Sequence, residues 1–143
     1  MRLRGLGAFC IAAVAASVTG WGAELDVVVD GVRNDRGDIV LSVYASPEQW
    51  PDGKSVTDLK EEAKLGSVTF KIHDLPPGTY GVTAFHDENR NGKLDTGFMG
   101  IPSEGFGASN DAPEKFGPPK YADARFTVTG DQTLTIHMTY VGM

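Results

Sequence analysis

Large apolar side chains fall at every second position in run after run of this chain, and period two buries one face of a strand. Leu25, Val27 and Val29 alternate with Asp26 and Val28, and Ile39, Leu41 and Val43 with Val40, Ser42 and Tyr44. Val68, Phe70 and Ile72 alternate with Thr69 and Lys71, and Tyr80, Val82 and Ala84 lie on one side of the run ending at Phe85. Asp30-Gly31, Asp35-Arg36-Gly37 and Asp74-Leu75-Pro76-Pro77-Gly78 separate these runs as turns. The runs Arg125–Thr129 and Thr133–Tyr140 flank Gly130-Asp131 and read as a third strand pair. The pattern predicts six strands, with an extra edge strand available in either long connection. The expected fold is all-β, an immunoglobulin-like or transthyretin-like antiparallel β-sandwich, with a β-barrel as competitor. In the first long connection, Thr57–Leu65 is expected to form a short helix, with Ser55 or Thr57 as its cap and Leu59 and Ala63 on its inner side.

Residues 1–23 read as a secretory signal peptide, because Arg2 and Arg4 precede an apolar run from Leu6 to Val18 that is shorter than the roughly 20 residues needed to cross a bilayer. Residues 24–143 are then one domain, exported to the periplasm or the extracellular space, with no membrane span and as a monomer. Cys10 lies in the leader, so the mature chain has no thiol for a disulfide, a zinc site or a nucleophile. Removing Arg2 and Arg4 takes the net charge from -6 to -6 - 2 = -8. This acidic balance disfavours nucleic acid and anionic lipid as partners and suits a cation.

A hard cation asks for oxygens at short, regular intervals around a tight bend, and Asp87-Glu88-Asn89-Arg90-Asn91-Gly92-Lys93-Leu94-Asp95 has that form. Asp87, Asn89 and Asn91 offer side-chain oxygens, Lys93 a main-chain carbonyl, and Asp95 closes the loop directly or through a water. Glu88, Glu104 and Asp111 are further candidate ligands. The alternative is a metal-free turn in which Asp and Asn side chains hold their own backbone.

Three further strings make the reading more specific: Leu75-Pro76-Pro77-Gly78-Thr79-Tyr80, then Gly100-Ile101-Pro102-Ser103-Glu104-Gly105-Phe106-Gly107-Ala108-Ser109-Asn110, then Phe116-Gly117-Pro118-Pro119. Together with the loop from His86 to Asp95 they resemble the bacterial domain-of-unknown-function 2141 family over nearly the whole mature chain. The resemblance implies a small exported β-rich protein and supplies no catalytic residues. The loop itself resembles the calcium loops of EF-hand and dockerin modules, with departures. Counting from Asp87, the twelfth position is Phe98 where those loops carry a bidentate carboxylate, and two interior positions are neutral asparagines. Calcium is therefore expected to bind weakly, toward ~10⁻⁴–10⁻³ M.

The second long connection, residues 87–121, carries Phe98, Met99, Ile101, Phe106, Phe116 and Tyr121, too many large apolar groups for a linker. It reads as an ordered lobe with a small core of its own. Alternatively, Phe98, Met99, Phe106 and Phe116 line a metal-independent surface for a small ligand or an envelope protein partner. Enzymatic activity has thin support. His86 with Asp87 and Glu104 could centre a hydrolase, but adjacent strand residues face opposite ways. His73 and His137 read as exposed or hydrogen-bonded framework residues, and Trp50 as a packing residue at a sheet edge. The expectation is a binding or structural module and not an enzyme.

Overall fold

The computed structural model describes residues 22–114 and 117–141. The expected leader, apart from its last two residues, and Phe116 lie outside the described residues. In chain order the strands are β1 (Ala23–Val32), β2 (Asp38–Tyr44), β3 (Thr57–Glu62), β4 (Gly66–Leu75), β5 (Gly78–Asp87), β6 (Phe106–Ala108), β7 (Phe126–Val128) and β8 (Gln132–His137). Single 3₁₀ turns at Phe98–Gly100 and Ser109–Asp111 and one short helix, α1 (Tyr121–Ala124), complete the described elements.

The strands form an all-β sandwich of two sheets. One has three strands in the order β4-β1-β8, and the other has β3-β2-β5-β6 with β7 also paired to β5. The predicted inward sets are the buried ones. Leu25, Val27, Val29, Ile39, Leu41, Val43, Val68, Phe70, Ile72, Tyr80, Val82 and Ala84 meet Ile136 and Val128 in one cluster between the sheets. Burying each large apolar side chain contributes about 1.5–3 kcal/mol, so this shared layer is what holds the sheets face to face.

Three expectations are corrected. Thr57–Glu62 is a strand, not a helix: Leu59 pairs opposite Leu41, while Asp58, Lys60, Glu61 and Glu62 stay exposed along the sheet edge. A place beside β2 outweighs the intrinsic preference of these residues, and their charges blunt the free edge. The segments around Gly130-Asp131 are not a hairpin, since β7 pairs with β5 in one sheet and β8 with β1 in the other. The β1–β8 pair is also parallel in an otherwise antiparallel assembly. The two strands beyond the predicted six, β3 and β6, lie in the two long connections.

Trp50 covers a face of the five-stranded sheet and not its edge. Its ring packs edge-on against Tyr44 and Tyr121, and its Nε1 donates to the Pro119 carbonyl at 2.7 Å. Gly81 lies under that ring, and a Cβ there would come within 2.8 Å of it.

Candidate functional site

Strand β5 delivers the site. Its register against β2 sets Ile39 opposite His86 and Asp38 opposite Asp87, so the chain leaves the sheet where the β1–β2 turn bends past it. Gly37 makes that approach possible: at φ 71 its Cα faces the Asp87 carbonyl too closely for any side chain.

His86 is fully buried, and both ring nitrogens are engaged. Its Nε2 lies 2.6 Å from the Arg36 carbonyl, which can only accept, so Nε2 carries the proton. Nδ1 then accepts from the Tyr140 hydroxyl at 2.8 Å, and that hydroxyl accepts the Arg33 N–H at 3.1 Å. The imidazole links β5, the β1–β2 turn and the C-terminal segment, with no exposed atom to offer a substrate. Burial raises the Tyr140 hydroxyl above the ordinary range for tyrosine.

Glu88 points away from the loop that follows it. The Arg33 guanidinium grips its carboxylate through Nε at 2.8 Å and Nη2 at 2.7 Å, and lies 4.6 Å over the Tyr140 ring. The Arg33 hydrogen bond, helped by Asn34, brings the Glu88 pKa down to about 2 against the opposing effect of burial. A carboxylate so engaged is an ion-pair partner of Arg33 and not a cation ligand.

The loop itself winds inward. The buried Asp87 carboxylate accepts the Asn91 N–H at 3.1 Å and the Gly92 N–H at 2.8 Å. Asn89 Oδ1 accepts the Asn91 N–H at 3.2 Å, and Asn91 Oδ1 accepts the Lys93 N–H at 3.1 Å, two Asx turns in succession. Gly92, at φ 83, supplies the bend. The amides of Asn89 and Asn91 each donate to one Asp95 oxygen at 2.6 Å, which lowers the Asp95 carboxyl pKa, Asn91 contributing most. Asp87, Asn89, Asn91 and Asp95 thus come together.

The remaining candidates divide. Glu104 is buried and braces the loop from below, accepting the Glu88 N–H at 2.9 Å and the Asp95 N–H at 3.0 Å. Asp111 is elsewhere: its carboxylate takes the His137 N–H and ring Nδ1 at 2.9 and 2.8 Å, raising the His137 pKa. Lys93 enters the loop's described hydrogen bonding through its N–H. Among the described residues no group of three or more His, Cys, Asp or Glu is placed to hold a metal, so any ion here needs amide or main-chain oxygens beside the Asp87 and Asp95 carboxylates. Arg33 and Tyr140, which hold the base of the loop, carry no local sequence signal.

The expected second core in the 87–121 connection is not formed by its most apolar residues. Phe98 and Met99 are 83% and 82% exposed, at the tip of a hairpin that none of the described elements covers. Phe106 is half-buried in β6, where its N–H and carbonyl bridge to Thr139.

Residues 27–137 match the family described as "Uncharacterized protein conserved in bacteria (DUF2141)". The chain belongs to this family. The DUF2141 match spans most of the sandwich, the 87–95 loop and the hairpin, in keeping with the motifs that carried the resemblance. No curated protein and no solved structure matches the chain.

Proposed function

We propose that this DUF2141 protein is an exported bacterial binding or structural module, monomeric and without catalytic activity, whose 87–95 loop takes up calcium weakly. The convergence of Asp87, Asn89, Asn91 and Asp95 carries the reading. Successive Asx turns set side-chain oxygens at alternate positions around a glycine bend, the spacing a hard cation asks of a loop. The same hydrogen bonds explain why affinity is low. Asn89 and Asn91 present N–H groups to Asp95, so an ion must displace both before it gains oxygen ligands, and among the described residues of the loop only Asp87 and Asp95 offer it carboxylates. The expected range is ~10⁻⁴–10⁻³ M. Calcium titration by calorimetry should give heat with the wild type and none with Asp87→Ala. Absence of both heat and a melting shift at millimolar ion in the wild type would leave the loop a metal-free turn.

Exposure of Phe98 and Met99 favours a second reading, in which the tip of the hairpin binds a partner independently of metal. The leader-like residues 1–23 support export.

A further inference from the structure

Three successive side chains of the 109–111 turn reach into three different parts of the fold. Ser109 is buried, and its Oγ accepts the Val82 N–H of β5 at 3.0 Å and donates to the Ala124 carbonyl at 2.6 Å. Asn110 Nδ2 donates to the Asp123 and Arg125 carbonyls at the end of α1, at 3.2 and 2.9 Å. Asp111 takes hold of the other sheet, accepting from the His137 N–H and ring Nδ1 at the end of β8. The turn needs such anchors. Asn110 and Asp111 sit at φ 60 and 47, two left-handed residues in succession, where Asn and Asp are ordinarily tolerated singly. The Ala112 N–H closes the turn on the Ser109 carbonyl at 3.2 Å.

Of the three anchors only the last depends on a group that titrates near neutrality. His137 faces outward from β8, a strand that packs on β1, on β6 and on this turn. β1 presents Asp30, whose Oδ2 lies 4.0 Å from Nε2, the turn presents Asp111, and β6 has no titratable side chain. Neither carboxylate has another ion-pair partner among the described residues. Cationic His137 turns an N–H toward each carboxylate and offsets one of their two charges. A neutral ring keeps a single N–H. With that proton on Nδ1, a bare Nε2 faces Asp30 and both carboxylates lose their counter-charge. We infer that His137 is a pH-operated latch: its protonated ring, held between Asp111 and Asp30, fastens the 109–111 turn to β8, and its neutral ring loosens that hold. The Asp111 hydrogen bond, with a smaller contribution from Asp30, keeps the folded ring protonated above the ordinary 6.5. The hold is therefore complete below 6.5 and is lost as pH rises through the higher folded-state midpoint. With 61% of the His137 side chain exposed, solvent screens the pair, so the latch acts on local opening of the turn and leaves the sandwich folded. Neither the 87–95 loop nor the hairpin tip enters the inference.

The test follows the full-length chain by NMR from about pH 5 to about pH 9 in EDTA, which leaves the calcium reading out of the outcome. The His137 ring should titrate above 6.5, Asp111→Asn should return it toward that value, and Asp30→Asn should lower it less. His137→Gln supplies a neutral donor at every pH. The ratio of Ala112 amide exchange rates, His137→Gln over wild type, cancels the intrinsic pH dependence of exchange. It should be about 3-fold below the midpoint and fall to about 1 above it. Should His137→Gln fail to fold, the wild-type Ala112 protection factor, dropping through the ring's midpoint, carries the same test. A His137 midpoint at or below 6.5, a midpoint unmoved by Asp111→Asn, or Ala112 protection that stays constant through the titration overturns the inference. The last outcome would leave the three groups a static surface ion pair.

Discussion

Asp87 and Glu88 are neighbours with opposite tasks: Asp87 ends β5, and Glu88, the residue after it, turns its carboxylate to Arg33 instead of into the loop. Glu88 turns toward Arg33, and its folded-state pKa of about 2 lies below the ordinary 4.5. The stability it contributes is fully present above that ordinary value and is lost as pH falls through about 2. Glu88→Gln should therefore cost on the order of 2 kcal/mol in urea unfolding at pH 7 and only a small fraction of that at pH 2, where the wild-type carboxyl is about half protonated in the folded state. Asp87 turns the other way and satisfies two backbone N–H groups of the loop. Even without calcium, Asp87→Ala should lose roughly 1–3 kcal/mol, because those N–H groups lose their acceptor in a mostly buried setting. Urea unfolding in EDTA measures this and separates a structural effect from a metal effect.

At the scale of elements, the β1–β2 turn and the end of β5 approach so closely that only glycine fits between them. Gly37→Ala combines a positive φ with a collision against the Asp87 carbonyl, and should destabilise by roughly 2–5 kcal/mol. Gly92 is the internal contrast: its φ is 83 but nothing lies within 4 Å of an added Cβ. Gly92→Ala should cost about 1 kcal/mol, from backbone conformation alone. Thermal melts of the two variants side by side test whether backbone proximity, rather than turn geometry, sets the demand at the first position. β3 shows another element-level effect, since a segment with helix-forming residues becomes an edge strand once Leu41 offers Leu59 a partner.

For the whole molecule, the 87–95 loop is an attachment to the sandwich rather than part of its core. The base is held by side chains from three separate regions, Arg33, His86 with Glu88, and Tyr140. Calcium bound to the folded chain alone should raise stability by RT ln(1 + [Ca²⁺]/Kd), about 1.4 kcal/mol at ten times Kd. For a chain of this size that is a rise in Tm of about 2–5 °C. Magnesium, which demands a tighter octahedral site and dehydrates reluctantly, should give less. Calorimetric melts in EDTA, calcium and magnesium read the difference.

The buried faces of β1, β2, β4 and β5 were legible in residues such as Val27, Leu41, Phe70 and Val82, because alternation is a property of neighbouring residues along one strand. The 87–95 loop was legible for the same reason: Asx turns and a glycine bend act over two to five residues. Which strands pair was decided by tertiary structure, as when Gly130-Asp131 carries the chain from one sheet to the other instead of closing a hairpin. So were the Arg33–Glu88 grip across 55 positions and the Arg33–Tyr140 contact across 107. The exposure of Phe98 and Met99 belongs with these, because an apolar side chain is buried only where another element arrives to cover it, and none of the described elements covers this tip.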